Sequence, residues 1–300
     1  MKPNIYFISG IDTDAGKSYC TAWYAKQLSR NGQRVITQKF IQTGNTGHSE
    51  DIDLHRRIMG TGYLPEDNEG LTMPEIFSYP CSPHLAARID NRPIDFDKIE
   101  NATQELARRY DTVLVEGAGG LMVPLTGEYL TIDYIADKNY PLIFVTSGKL
   151  GSINHTLLSL EAIGHRGITL DTVLYNLYPT VEDKTIQNDT MQYIREYLSR
   201  HFPGTKFEVV PEINNLHQTM ESVTNFVPLH VIKRHRTHGS IYLRYNRAAI
   251  TRSDGNSIYP SSTLLPLPVQ PHPPAQPCRE ARQCTLLPGA PAGVGHHLRT

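Results

Sequence analysis

Gly10 to Ser18, GIDTDAGKS, is the stretch of this chain best suited to handle a phosphate. It follows the apolar run Ile5 to Ile8 and opens a segment of helical character from Tyr19 to Ser29. Strand, glycine-bounded loop, Gly-Lys-Ser and helix are the grammar of a phosphate-binding P-loop. Glycines let backbone N–H groups converge on phosphate oxygens, and the helix N-terminus adds a favourable dipole. Lys17 is expected to reach the β- and γ-phosphates of a nucleotide, and the Ser18 hydroxyl to hold Mg2+. Five residues, where the general pattern has about four, separate Gly10 from Gly16. The bland alternative is a strand–turn–helix corner with a surface lysine, which leaves the Gly-Lys-Ser unexplained.

Four further pieces carry matching chemistry. Lys39 and Thr43 stand at the two ends of KFIQT, a lysine and a hydroxyl entering a loop. Asp51 follows in SEDID, with Asp53 as its rival, and either could instead be a carboxylate serving a helix N-terminus. Glu116 ends an apolar strand before Gly117, Ala118, Gly119 and Gly120. Lys149 to Asn154, KLGSIN, leads into a helix whose N-terminus could receive a carboxylate. Ser18, Asp51 and Glu116 would give three hard oxygen ligands, which suits Mg2+ once phosphate oxygens and waters complete its octahedron. Lys39 has its own bland reading as a strand-end lysine whose stem packs on apolar surface. Asn176 could be a turn residue before Pro179.

The elements that must position these residues alternate. Strands are expected at Ile5 to Ile8, Arg34 to Phe40, Thr112 to Val115, Leu142 to Val145, Thr169 to Tyr175 and Lys206 to Val210. Helices are expected near Tyr19 to Ser29, Asp51 to Met59, Asp95 to Arg109, Ser152 to Gly164 and Asp183 to Arg200, with a short one from His84. Gln42 to Ser49 reads as a loop. Such alternation predicts an α/β fold of the P-loop NTPase type, a mostly parallel sheet with helices on both faces. Ligands of such sheets bind beyond the carboxyl ends of the strands, where Gly10, Lys39, Glu116, Ser147 and Asn176 would lie.

Composition divides the chain into a body, 1–216, and a tail, 217–300. The net charge of -1 hides an asymmetry: the tail holds nine Lys and Arg against three Asp and Glu, the body 20 against 27. The body is therefore about -7 and the tail about +6. Ten of the 21 prolines and seven of the 13 histidines also lie in the tail, where no helical or strand period is sustained. The tail is expected to be disordered, an extension of accidental origin such as a read-through or frame-shifted end. A local strand at Ile241 to Tyr245 would have nothing to pair with. Its basic residues are scattered, which argues against nucleic acid binding. No apolar run approaches the roughly 18 residues of a membrane span, and no signal-peptide segment opens the chain. Cys20 and Cys81 have no metal or redox spacing, so a cytoplasmic location is expected.

With these motifs in place, the body resembles the dethiobiotin synthetases. GIDTDAGKS is similar to that family's GTDTxxGKT loop, including its extra residue, and KFIQTG to its KPxQTG segment. CSPHLAA, VEGAGG, GKLGSINH and VPEI follow in the family's order, so the resemblance covers residues 4–216 and none of the tail. Phe40 stands where the family has proline, and Thr43 where serine is common. The resemblance implies a cyclo-ligase that uses ATP and Mg2+ to close 7,8-diaminononanoate and CO2 into dethiobiotin, in biotin biosynthesis. It also implies a carbamate and a carbamic–phosphoric anhydride on the way.

The same resemblance distributes roles. Thr13, Lys17, Lys39 and Lys149 form the catalytic set. Asp14, Ala15, Gly16, Lys17, Ser18 and Tyr19 would bind the nucleotide with Asp51, Glu116, Gly117, Ala118 and Gly119. Asn176, Leu177, Pro211, Glu212 and Ile213 would line the adenine pocket. Thr43 would bond the substrate's amine or carbamate, and Gly151, Ser152, Ile153 and Asn154 its carboxylate from the neighbouring subunit of a homodimer. The reading from another class is a non-enzymatic ATPase switch of the partition or division-site type. That group carries an early loop lysine where this chain has Ile11 and Asp12.

Overall fold

The computed structural model describes residues 4–178 and 183–212, with the backbone of 236–237 and 240–241. The chain divides into two units, 1–224 and 225–300. In the first, the central sheet has six parallel strands in the order β2-β5-β1-β6-β7-β8. They are β1 (Asn4–Gly10), β2 (Val35–Lys39), β5 (Thr112–Gly120), β6 (Leu142–Ser147), β7 (Leu170–Asn176) and β8 (Lys206–Val210). This is the expected α/β architecture. Parallel strands need helical crossovers, and those crossovers cover both faces.

Strand parity decides what each face carries, because successive side chains point to opposite sides. On one face Phe7, Ile36, Val113, Val115, Phe144 and Val173 join the larger apolar core. Helices α5 (Phe96–Arg109), α6 (Thr131–Lys138), α7 (Ser152–His165) and α8 (Thr185–His201) supply residues such as Ile99, Ile135, Leu160 and Ile194 to that core. On the other face Ile8, Leu114, Ile143, Val145 and Leu174 meet Cys20 and Ala25 of α1 (Lys17–Arg30). Each of the fully buried Val, Leu, Ile and Phe side chains among these contributes about 1.5–3 kcal/mol relative to exposure. Lys39 and Glu116 share parity with Val35 and Leu114, so both fall on the α1 side.

Helix α2 (Glu50–Met59) lies on α1 and is fixed at both ends. Ser49 caps it by accepting from the Ile52 N–H at 3.2 Å, and itself donates to Gln42 Oε1 at 2.6 Å. Near its far end the buried Arg56 guanidinium grips Asp67 with two hydrogen bonds of 2.8 Å and donates to Thr37 Oγ1 of β2 at 2.8 Å. Asp67 belongs to a short helix, α3 (Pro65–Asn68).

Several expectations are corrected. The segment after Lys39 is not all loop: β3 (Gln42–Thr43) pairs in parallel with β4 (Ile76–Phe77). Helix α4 (Pro83–Ile89) starts at its proline, as a residue lacking an N–H prefers. Glu116 does not end its strand; it lies within β5, beside Ile8 and Lys39. Helix α6 was not expected at all. The tail lies outside the described residues except for a ribbon, in which β9 (Arg236–Thr237) pairs antiparallel with β10 (Ser240–Ile241). Ile241 therefore has a pairing partner four residues before the expected strand would end.

Candidate active site

The P-loop folds as its sequence requires. Asp12 caps a single 3-10 turn, Thr13–Ala15, by accepting from the Thr13 N–H at 2.6 Å. Gly16 then takes φ +82 to lead into α1, a left-handed conformation that glycine adopts without steric cost. A side chain there would also meet Asn176 Nδ2 at 2.3 Å. At Gly10 an added Cβ would sit 3.1 Å from Lys17 Cγ and 3.2 Å from the Val145 carbonyl. The loop is thus wrapped tightly around the Lys17 stem.

Lys17 is buried and donates to the Asp12 carbonyl at 2.8 Å. Burial, with nearby Lys39 adding to it, pulls its ammonium down to about 8, against the pull of Glu116, Asp51 and Asp12. Next to it the Ser18 hydroxyl bridges two acids, 2.7 Å from Asp51 Oδ1 and 2.8 Å from Glu116 Oε1. Lys39 closes the cluster from β2, with Nζ 2.5 Å from Asp51 Oδ2, 2.8 Å from Glu116 Oε1 and 3.3 Å from the Gly117 carbonyl. Burial opposes the charge on Lys39, yet Glu116 and Asp51 outweigh it and raise the ammonium above its ordinary value. For Glu116 burial favours the neutral acid, but Lys39 and His55 hold the carboxyl well below its usual range.

Four elements therefore bring Lys17, Ser18, Lys39, Asp51 and Glu116 together. Asp53, two residues on, turns away: it accepts from the Tyr63 hydroxyl and faces His48 at 3.7 Å. The donor set fits Mg2+ in kind, with a hydroxyl and two carboxylates converging within hydrogen-bond distance and no sulfur or nitrogen among them. Among the described residues no group of three His, Cys, Asp and Glu could enclose a metal by itself. A cation held here would take its remaining ligands from phosphate and water, as Mg2+ prefers.

The other expected residues are spread more widely. Thr13 and Asp14 are exposed on the loop and Ala15 is buried beneath it. Gly117 backs against Phe7, Gly119 lies near the Thr13 hydroxyl, and Ala118 lies between them on β5. Tyr19 donates to the Pro211 carbonyl at 2.9 Å, and burial pushes its phenol up to about 12. Asn176 is committed within the chain: its amide donates to the Ala15 carbonyl at 3.1 Å and its oxygen accepts from the Tyr178 N–H. Leu177 and Glu212 are half-buried, while Ile213 lies outside the described residues.

Thr43 is half-buried on β3, a few residues along the chain from Lys39. Lys149 and Gly151 are exposed in the turn before α7, Ile153 is half-buried and Asn154 exposed. Ser152 is buried and faces Ser147 Oγ at 3.1 Å, so its hydroxyl is already partnered. Three residues that hold the site carried no sequence expectation: Gln42 and Ser49, which anchor α2, and His55, whose Nε2 lies 2.8 Å from Glu116 Oε2. The signal for His55 was its place four residues after Asp51, on the same face of a helix.

A parallel sheet covered by helices, with a P-loop leading from its first strand into α1, is the architecture of the P-loop NTPase class. A family profile described as an AAA domain matches residues 4–223. ATP-dependent dethiobiotin synthetase BioD 2 of Pasteurella multocida is 51% identical over 210 residues, covering 70% of this chain and 98% of that protein. Its counterpart in Haemophilus ducreyi is 52% identical over 206 residues, 69% of this chain and 97% of that protein. ATP-dependent dethiobiotin synthetase BioD of Chlorobaculum tepidum is 47% identical, covering 67% of this chain and 84% of that protein.

The chain belongs to the ATP-dependent dethiobiotin synthetase family, a family of ligases in biotin biosynthesis. A solved ParA-family ATPase from Chlorobium tepidum is similar at 15% identity and TM-score 0.43, over 74% of this chain and 90% of that one. That likeness is too slight to favour the partition-type switch. Among the described residues no helix is long and apolar enough to cross a membrane.

Proposed function

We propose that this chain closes a cyclic urea on 7,8-diaminononanoate, using CO2 and ATP, to give dethiobiotin, ADP and phosphate. The observation that carries the reading is the convergence of Ser18, Lys39, Asp51 and Glu116 beside the P-loop. Phosphoryl transfer asks for charge neutralisation and alignment more than for covalent chemistry, and this cluster supplies both. One substrate amine adds to CO2, losing a proton, to form a carbamate. A carbamate oxygen then attacks the γ-phosphorus of ATP and ADP leaves. The second amine attacks the carbonyl of the resulting carbamic–phosphoric anhydride, losing a proton, and phosphate leaves as the ring closes.

Lys17 neutralises the β- and γ-phosphates, while the P-loop amides align them. Lys39 holds the carbamate anion beside the phosphoryl group it attacks, and Thr43 hydrogen-bonds the same end of the substrate. Ser18, Asp51 and Glu116 would hold Mg2+, which when bound neutralises charge on the transferring phosphoryl. Thr13 and Lys149 complete the phosphate environment. Asn176, Leu177, Pro211, Glu212 and Ile213 flank the adenine. The turn from Gly151 to Asn154 receives the substrate carboxylate bound to a second copy of the chain, so the working form is a cytoplasmic homodimer that needs neither nucleic acid nor membrane.

A coupled phosphate-release assay with ATP, Mg2+, bicarbonate and 7,8-diaminononanoate tests this, with the product identified by mass. Phosphate release that depends on the diamine, together with dethiobiotin, is the expected result. ATP hydrolysis indifferent to the diamine would refute it.

A further inference from the structure

With Ser18, Asp51 and Glu116 read as the Mg2+ site, as proposed above, His55 stands directly behind one of its ligands. His55 lies on α2 one turn after Asp51, and its side chain is fully buried, as is that of Glu116. Nε2 is 2.8 Å from Glu116 Oε2. An ionised carboxylate only accepts, so Nε2 carries the hydrogen and donates it. The other ring nitrogen, Nδ1, is buried and has no partner among the described residues. A buried imidazole with one nitrogen unsatisfied costs free energy that an aliphatic side chain in the same place would not incur. What the ring gains in return is a single hydrogen bond, and its acceptor is the carboxylate at the centre of the site.

The two oxygens of Glu116 have separate work. Oε1 accepts from Ser18 Oγ at 2.8 Å and from Lys39 Nζ at 2.8 Å, while Oε2 is held by His55. With Oε2 tied, the carboxylate plane cannot rotate without breaking a buried hydrogen bond. We propose that His55 is a positioning residue for the cation: it fixes Oε2 so that Oε1 is presented where the Ser18 hydroxyl and Asp51 converge. Hydrogen bonds of this outer kind orient ligating carboxylates, and their loss typically weakens metal affinity about 10–100-fold. Asp51 and His55 then act as a pair from one face of α2, one toward the cation and one behind its other ligand.

The test titrates Mn2+ into the full chain, with and without a non-hydrolysable ATP analogue, and reads free Mn2+ by electron paramagnetic resonance. His55→Leu is expected to weaken Mn2+ about tenfold, while the affinity for the analogue without metal changes less than about twofold. His55→Gln, whose amide can donate over a similar reach, is expected to recover most of the loss. Unchanged Mn2+ affinity in His55→Leu would overturn the proposal, as would equal losses in His55→Leu and His55→Gln. If His55→Leu does not fold, His55→Asn replaces it as the donor with too short a reach. Glu116→Gln separates the two readings. If it leaves Mn2+ binding intact, the metal site and the role of His55 both fall. If it weakens Mn2+ while the His55 variants do not, the role of His55 alone falls.

Discussion

Asp51 and Asp53 carry the same chemistry two residues apart, and the phase of one helix separates them. Asp51 faces Ser18 and Lys39, whereas Asp53 faces Tyr63 and His48 on the outer side of α2. Asp51→Asn should therefore cost roughly 100-fold or more in diamine-dependent turnover, the scale of removing one electrostatic group from a preorganised site. Asp53→Asn, turned toward Tyr63 and His48 and away from the cluster, should stay within about twofold, a change of under about 0.5 kcal/mol. Steady-state kinetics on the two variants check this, and equal losses would contradict the assignment. The sequence alone left both acids open, because each sits in the first turn of the helix. His55 was illegible for a related reason: a lone histidine in an amphipathic stretch reads as packing until its neighbour on β5 is known.

At the scale of the element, α2 matters because it delivers Asp51 and His55 together, and its placement depends on Arg56 and Asp67. Burial alone would raise the Asp67 carboxyl, but Arg56, the Leu64 N–H and Thr72 together bring it below its ordinary value. A carboxyl depressed in the folded state contributes stability that is fully present above its unfolded value, near 3.9. That contribution is lost as pH falls through the folded value, because the unfolded chain then binds more protons. Asp67→Asn would leave a buried guanidinium without its charge partner, at a cost of about 3 kcal/mol near neutral pH. Denaturant unfolding from pH 7 down to pH 3 should show that deficit narrowing with acid, since only the parent loses the pair's contribution. A deficit constant across the range would contradict it. Elements with strong signals were readable in the sequence, such as α5 with Asp95 at its cap. Helix α6 was not, since Leu130 at its start offers no capping side chain and its eight residues are too few for a clear period.

Across the whole molecule, charge and proline content separate 1–216 from 217–300, while the family profile runs on to residue 223. The Pasteurella multocida protein is matched over 98% of its length by 70% of this chain. Every residue proposed for the chemistry also lies at or before Ile213. The parallel sheet was legible because buried parallel strands read as short apolar runs between amphipathic helices. Its strand order was not, since register and neighbours depend on crossovers that no local pattern encodes. We infer that residues 217–300 contribute neither to the core nor to catalysis. A chain ending at residue 216 should then melt within about 2 °C of the full chain, a difference under about 1 kcal/mol for a domain of this size. Its diamine-dependent turnover should stay within about twofold. Parallel thermal melts and phosphate-release assays on the two chains decide the matter. A fall of about tenfold in kcat/KM for ATP, or about 1.4 kcal/mol of lost transition-state binding, would instead give the tail a part in closing the nucleotide site.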